Sequence, residues 1–177
     1  MKVGSVVWLI SQSLFVSVAI AGQECDTSRF ALSTPTQAFE DHGDGTVTDR
    51  RSGLQWMRCS VGQAWAKGNC NGVPEALSWQ QANDVASKTN QSGNFFYNDW
   101  RLPNIRELAT IAERQCANPR INLELFPGTL AASYWTIVLK GVGSYEPQAF
   151  VMDFGAGGIG VAAQQDRHYA RLVRTSF

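Results

Sequence analysis

"DHGDGTVTDRRSGLQW", residues 41–56, interleaves Asp41, Asp44 and Asp49 with Gly43 and Gly45. It reads either as a calcium loop or as turns between short strands. Counted as an EF-hand from Asp41, the third and fifth positions are glycines, and the twelfth is Ser52 rather than a bidentate glutamate. Counted from Asp44, the early ligand positions are Thr46 and Thr48, and the twelfth is Gln55. Both registers fail. Asp-Gly between short strands is instead a hairpin signal, because glycine accepts positive φ and aspartate bonds nearby backbone amides. Val47, Leu54 and Trp56 then share one buried face by alternation. The expectation is no cofactor, with an irregular calcium site at Asp41, Asp44 and Asp49 as the alternative.

Working outward, residues 58–116 hold two helix signals. "LSWQQANDVASK" puts Trp79, Ala82, Val85 and Ala86 on one stripe, with Ser78 as N-cap. "PNIRELATIAERQC" opens with Asn104 and Glu107 in capping-box spacing, and Leu108, Ile111 and Ala112 form its core face. Strands return in "SYWTIVL", "QAFVMDF", "GIGVA" and "YARLVR". Helices in the middle and strands at both ends predict an α+β domain with a largely antiparallel sheet. The tryptophans at 56, 65, 79, 100 and 135 are spread over every segment and read as core anchors.

The N-terminus reads as an export signal over residues 1–21. Lys2 precedes an apolar stretch, and Ala19-Ile20-Ala21 ends in a small-x-small cleavage pattern before Gly22. Ser11, Gln12 and Ser13 interrupt the apolar run, so a lasting membrane span is not expected. Residues 22–38 form an N-terminal segment and 39–177 the domain. Cys25, Cys59, Cys70 and Cys116 all lie in the exported part, which argues for two disulfides. Three pairings are open. Proximity favours Cys59–Cys70, leaving Cys25–Cys116 to tie down the N-terminal segment, worth roughly 3 and 4.5 kcal/mol respectively in the chain-entropy model. Zinc would want C-x-x-C spacing, which the sequence lacks.

The chain carries 15 basic and 15 acidic side chains, a balance that excludes a general nucleic-acid binder. "GAGGIG", residues 155–160, fits G-x-G-x-x-G as text. Too little chain follows Gly160 for a helix, a second strand and a distant acid, so it reads as a strand-to-strand turn. No G-x-S-x-G elbow is present, and His42 and His168 fall in turn or edge contexts. No catalytic residue and no metal ligand set are assigned. The C-terminal stretch concentrates Arg167, His168, Arg171 and Arg174 against Asp166 alone, and reads as a solvated edge strand or a ligand patch.

Taken together, "DHGDGTVTDRRSGLQWMRCSVGQAW", "WRLPNIREL", "INLELFPGT", "YWT" and "YARLVR" resemble the Lcl C-terminal domain family, named for the C-terminal domain of a Legionella collagen-like adhesin. The resemblance runs from about Phe39 to Arg174. It implies a C-type-lectin-like fold, with two helices packed on a twisted antiparallel sheet, and a non-enzymatic adhesion role. The implied partner is a sulfated or glycosaminoglycan-like surface polysaccharide, with homo-oligomerisation or tethering as the source of avidity. Guanidinium groups match sulfate bidentately, which makes Arg167, His168, Arg171 and Arg174 the expected ligand residues. Arg101 and Arg106 read instead as anchors of the helix start. A structural or protein-interaction subunit of an envelope assembly is the second expectation. "WRLPNIREL" and "YARLVR" are also similar to the formylglycine-generating enzyme class, but that class needs C-terminal cysteines, and none follows Cys116.

Overall fold

The structure is a computed structural model that describes residues 22–28, 30–93, 97–141 and 146–176. The export signal and its cleavage site lie outside the described residues. Among the described residues, eleven strands and two α-helices follow in order. They are β1 (Glu24–Cys25), β2 (Phe39–Asp41), β3 (Thr46–Asp49), β4 (Leu54–Met57), β5 (Ala64–Ala66), β6 (Asn69–Asn71), α1 (Trp79–Ser92) and α2 (Ile105–Thr110). There follow β7 (Cys116–Ala117), β8 (Ser133–Leu139), β9 (Gln148–Asp153), β10 (Gly158–Ala163) and β11 (Val173–Thr175). Every ladder between named strands is antiparallel: a four-stranded sheet β11-β4-β3-β2, a three-stranded sheet β10-β9-β8, and the pairs β1-β7 and β5-β6. The α+β class expected from the sequence is the one observed.

The opening stretch forms two consecutive hairpins. Gly43 (φ 73°) and Gly45 (φ 93°) turn β2 into β3, and Gly53 (φ 67°) turns β3 into β4. Each aspartate ties a turn. Asp41 Oδ1 accepts from the Gly43 N–H (2.9 Å), and Asp44 Oδ1 accepts from the Thr46 N–H (2.9 Å) and hydroxyl (2.6 Å). Asp49 accepts from the Arg51 N–H (3.0 Å) and the Ser52 hydroxyl (3.1 Å). Val47 stands opposite Trp56, and both are buried with Leu54 on the core face. The opposite face is covered too. Gln55 donates to Thr46 (2.9 Å) and accepts from Arg174 (2.7 Å), a polar chain that lets these side chains be buried without orphaned groups.

Both helices start as their sequences predict. Ser78 with Gln81 and Asn104 with Glu107 form complete capping boxes, and α1 stops at Gly93 in the left-handed region. Ala82 and Ala86 are buried, while Trp79 and Val85 flank them half-buried. Glu107 also takes a bidentate contact from Arg101 (2.7 and 2.8 Å), which anchors the helix start; Arg106 is exposed. The second helix is shorter than its periodicity suggests and ends at Thr110. The reason lies in Glu113, whose fully buried carboxylate collects the N–H groups of Ser33, Thr34 and Gln115 and the hydroxyls of Ser33 and Thr34 (2.8–3.0 Å). The chain unwinds to reach them, and Cys116 then pairs with Cys25.

The disulfides are Cys25–Cys116 and Cys59–Cys70, the favoured pairing. "GAGGIG" turns β9 into β10. Gly157 has φ 75°, and the Arg120 side chain occupies the space a Cβ would need. Trp56, Trp100 and Trp135 are buried as expected, and Trp79 is half-buried with its indole N–H on the Thr136 carbonyl (2.8 Å). Trp65 departs from the expectation: it sits half-buried on the β5-β6 hairpin, outside both core clusters.

Residues 168–175 form the seam of the molecule. Tyr169 bridges Tyr134 of β8, Ala170 and Leu172 accept from Val61 and Met57, and Val173 pairs with both Trp56 and Arg101. "YARLVR" is therefore threaded between the two main sheets, and only its end is a strand. Among the described residues, no helix is long and apolar enough to cross a membrane.

Candidate functional site

The central position of the seam decides the fate of the C-terminal basic residues. Arg171 is 0 % exposed. Its Nη1 donates to the Met57 (2.9 Å) and Arg58 carbonyls, its Nη2 to the hydroxyls of Ser60 (3.2 Å) and Thr129 (2.6 Å), and it lies 4.9 Å from the Phe126 ring centroid. Arg174 is 8 % exposed; it donates to Asp99 (2.6 Å) as well as to Gln55, and its guanidinium covers the Tyr97 ring at 3.7 Å. His168 lies edge-on to Trp135 at 4.7 Å. Burial lowers its pKa against the opposing pull of Asp166 and Asp153, so it is uncharged near neutral pH. Arg167 alone stays on the surface, donating to the Ala76 carbonyl (3.0 Å). The expected patch of Arg167, His168, Arg171 and Arg174 is thus not one exposed anion-binding face. Two members are buried on partners within the fold, one is neutral, and one is left outside.

Two of the three turn aspartates are likewise paired internally. Asp41 also pairs with Arg58 (2.7 Å), and Asp49 with Arg51 (3.1 Å). Among the described residues, no group of three His, Cys, Asp or Glu side chains is placed to hold a metal ion.

A different cleft gathers exposed cations. It measures about 340 Å³ and lies between the β3-β4 turn and the end of α2, lined by Ser33, Asp49, Arg51, Ser52, Thr110 and Arg114 among others. Arg51 is fixed there by Asp49, by the Ser33 carbonyl (2.9 Å) and by the Phe39 ring. Arg114 is exposed, and its guanidinium has no protein partner among the described residues. Arg106 is exposed on α2, four residues before Thr110 and therefore on the same helical face. Two guanidiniums against one carboxylate leave a positive lining, whose Ser33, Ser52 and Thr110 hydroxyls donate within the protein. Four other clefts differ in sign. One carries Asp44 as its only charge, one Asp153 and Asp166, and one Glu113 and Glu124; in the last, Glu24 and Asp26 balance Arg114 and Arg120. The sequence offered no route to this pairing, because Arg51 and Arg114 meet only through the Ser33–Glu113 junction.

A disulfide-closed α+β domain of antiparallel sheets and two capped helices, with a basic cleft on its surface, is the class that this architecture defines. Within that class, the chain belongs to the Lcl C-terminal domain family, which residues 45–174 match. Comparison with curated proteins found no match. Among solved structures, the chain is similar to EMS16, described as an antagonist of the collagen receptor integrin alpha2beta1. The TM-score is 0.40 at 12 % identity, covering 66 % of this chain and 98 % of that one.

Proposed function

We propose that the chain is an exported, non-catalytic binding and adhesion module that needs no cofactor and recognises anionic, sulfated surface glycans at the Arg51–Arg114 cleft. Family membership supports a binding role. The observation that carries the ligand class is the positive lining of this cleft, where the Arg114 guanidinium, without a protein partner among the described residues, stands beside Arg51. Guanidinium meets sulfate through two parallel N–H donors. One such cleft gives weak binding, so several copies on one surface would supply avidity.

Heparin-affinity chromatography tests the reading. Arg114→Ala removes the guanidinium with no structural partner and is expected to weaken binding about tenfold, the loss of one charge-assisted contact. Arg167→Ala is expected to leave elution unchanged. Unchanged elution of Arg114→Ala would remove the cleft from consideration.

A second reading, a protein-interaction subunit of an envelope assembly, is favoured by strand β10. Its Ile159 (61 % exposed) and Val161 (41 % exposed) sit on an edge strand, whose free backbone groups suit strand addition by a protein. Retention by a bacterial surface complex, abolished by Ile159→Lys and without any glycan signal, would favour it.

A further inference from the structure

The half-buried Trp65 has a setting that core packing does not explain. It stands on the β5-β6 hairpin, whose Lys67-Gly68 turn has positive φ at both positions and whose base is closed by Cys59–Cys70. The indole lies 4.2 Å from the Arg58 guanidinium and directs its N–H toward the Gly43 carbonyl (3.4 Å). Gly45 makes room for it: a Cβ there would stand 2.7 Å from the Trp65 Cβ and Cγ. Arg58 itself is buried and fixed by the carbonyls of Leu125 and Glu124 and by Asp41. The ring is thus locked in place without being buried, the arrangement that preorganises a contact surface at little entropic cost on binding.

Trp65 forms part of the wall of a cleft of about 470 Å³ between this hairpin and α1, within the usual range for small-molecule sites. Apolar surface from Met57, Val61 and Val85 dominates the lining, and its polar groups are few. Asp44 uses Oδ1 on Thr46, and its other carboxylate oxygen has no protein partner among the described residues. Gln63 holds its Oε1 on the Ser60 N–H (3.2 Å) and its Nε2 only at 3.5 Å from the Gly72 carbonyl.

These features discriminate between ligand classes. An anion would meet the Asp44 carboxylate with no exposed cation in the lining to offset it. A cation over the indole would meet the positive charge of Arg58 already stacked on that ring. A wholly apolar ligand would desolvate the second Asp44 carboxylate oxygen and the weakly held Gln63 Nε2 without giving either a partner. A ring with an apolar C–H face and a rim of hydroxyls satisfies all three constraints. We propose that the Trp65 cleft is a binding site for a neutral pyranose residue, which stacks on the indole and donates a hydroxyl to Asp44. The site is separate from the basic cleft and stands whether or not that cleft binds sulfate.

Titration of the ¹⁵N-labelled protein with neutral gluco-, galacto- and manno-oligosaccharides, read at the tryptophan indole N–H resonances, tests it. Loss of one resonance in Trp65→Phe assigns the signal. The expected result is a saturable shift of the Trp65 indole with at least one series. Binding, followed in every variant at the backbone amides of residues 59–72, should be at least tenfold weaker in Trp65→Ala, intermediate in Trp65→Phe, and unchanged in Arg114→Ala. A Trp65 resonance unmoved by every series overturns the site, as does binding that survives Trp65→Ala in a protein whose remaining spectrum is intact. Loss of heparin binding in Arg114→Ala bears only on the basic cleft, so the two readings fail separately.

Discussion

Arg171→Met is expected to lower the unfolding free energy by about 3–5 kcal/mol, the range for removing one partner from a buried charged network. The guanidinium is wholly enclosed, and among the described residues no carboxylate pairs with it; two carbonyls and two hydroxyls hold it instead. Desolvation lowers its pKa to about 10, with Tyr134 opposing, and the group therefore stays charged at neutral pH. Methionine preserves much of the stem's packing but strands the carbonyls of Met57 and Arg58 in a dry interior, and the Thr129 hydroxyl keeps only its bond to the Phe126 carbonyl (2.7 Å). Ser60 keeps only its bond to the Tyr134 hydroxyl (2.9 Å). Each orphaned group costs on the order of 1–3 kcal/mol. Lysine restores the charge but not the fork, and is expected to recover less than half of the loss. Urea unfolding at pH 7 measures both, with Arg167→Met as a surface control expected within about 0.5 kcal/mol of the parent. A loss below about 1 kcal/mol for Arg171→Met would show that the fork is dispensable.

The same residue shows what the sequence conceals. "YARLVR" alternates, and alternation assigns faces, but it cannot say that both faces of a strand are covered. Val47, Leu54 and Trp56 were legible because their apolar side chains reveal burial directly. Arg171 and Arg174 were not. The partners of Arg171 are backbone carbonyls and hydroxyls, which leave no charge pattern along the chain. Those of Arg174 are an amide and a carboxylate, Asp99, 75 residues away. The hairpins were legible from Asp-Gly spacing and the helix starts from capping boxes, since both are local chemistry. The end of α2 was illegible because Glu113 answers to Ser33 and Thr34, some eighty residues earlier. The site suffered most. A cleft made by Arg51 and Arg114, or by Gly45 and Trp65, exists only once distant turns have been brought together. For Trp65 a faint signal was present, in a tryptophan within a short, disulfide-closed segment too small to build a core around it.

Glu113 supplies the second large effect, and it is visible in pH as well as by mutation. Burial would raise its pKa, but the N–H groups of Gln115, Ser33 and Thr34 and the Thr34 hydroxyl outweigh that and hold it at about 2. The folded carboxyl therefore releases its proton more readily than the unfolded one, whose pKa is 4.5. Between these values the unfolded chain binds more protons, so stability rises with pH. The contribution is complete above pH 4.5 and is lost as pH falls toward 2. Allowing for screening, it is on the order of 2 kcal/mol. Glu113→Ala is expected to cost about 3 kcal/mol at pH 7, because it also leaves buried donors of Ser33, Thr34 and Gln115 unmatched. The gap between parent and variant should narrow steadily from pH 5 to pH 2. Glu107 is lowered as well, with burial opposed by Arg101 and the Asn104 N–H, and its acid dependence persists in both proteins. The difference between the two curves therefore isolates Glu113. Because Cys25–Cys116 tethers the N-terminal segment independently, the variant should remain folded while the amides of Ser33 and Thr34 lose protection from hydrogen exchange. A gap that is constant with pH would mean that the carboxylate is no more acidic in the folded protein than in the unfolded chain. The junction would then rest on packing and the disulfide instead of on charge.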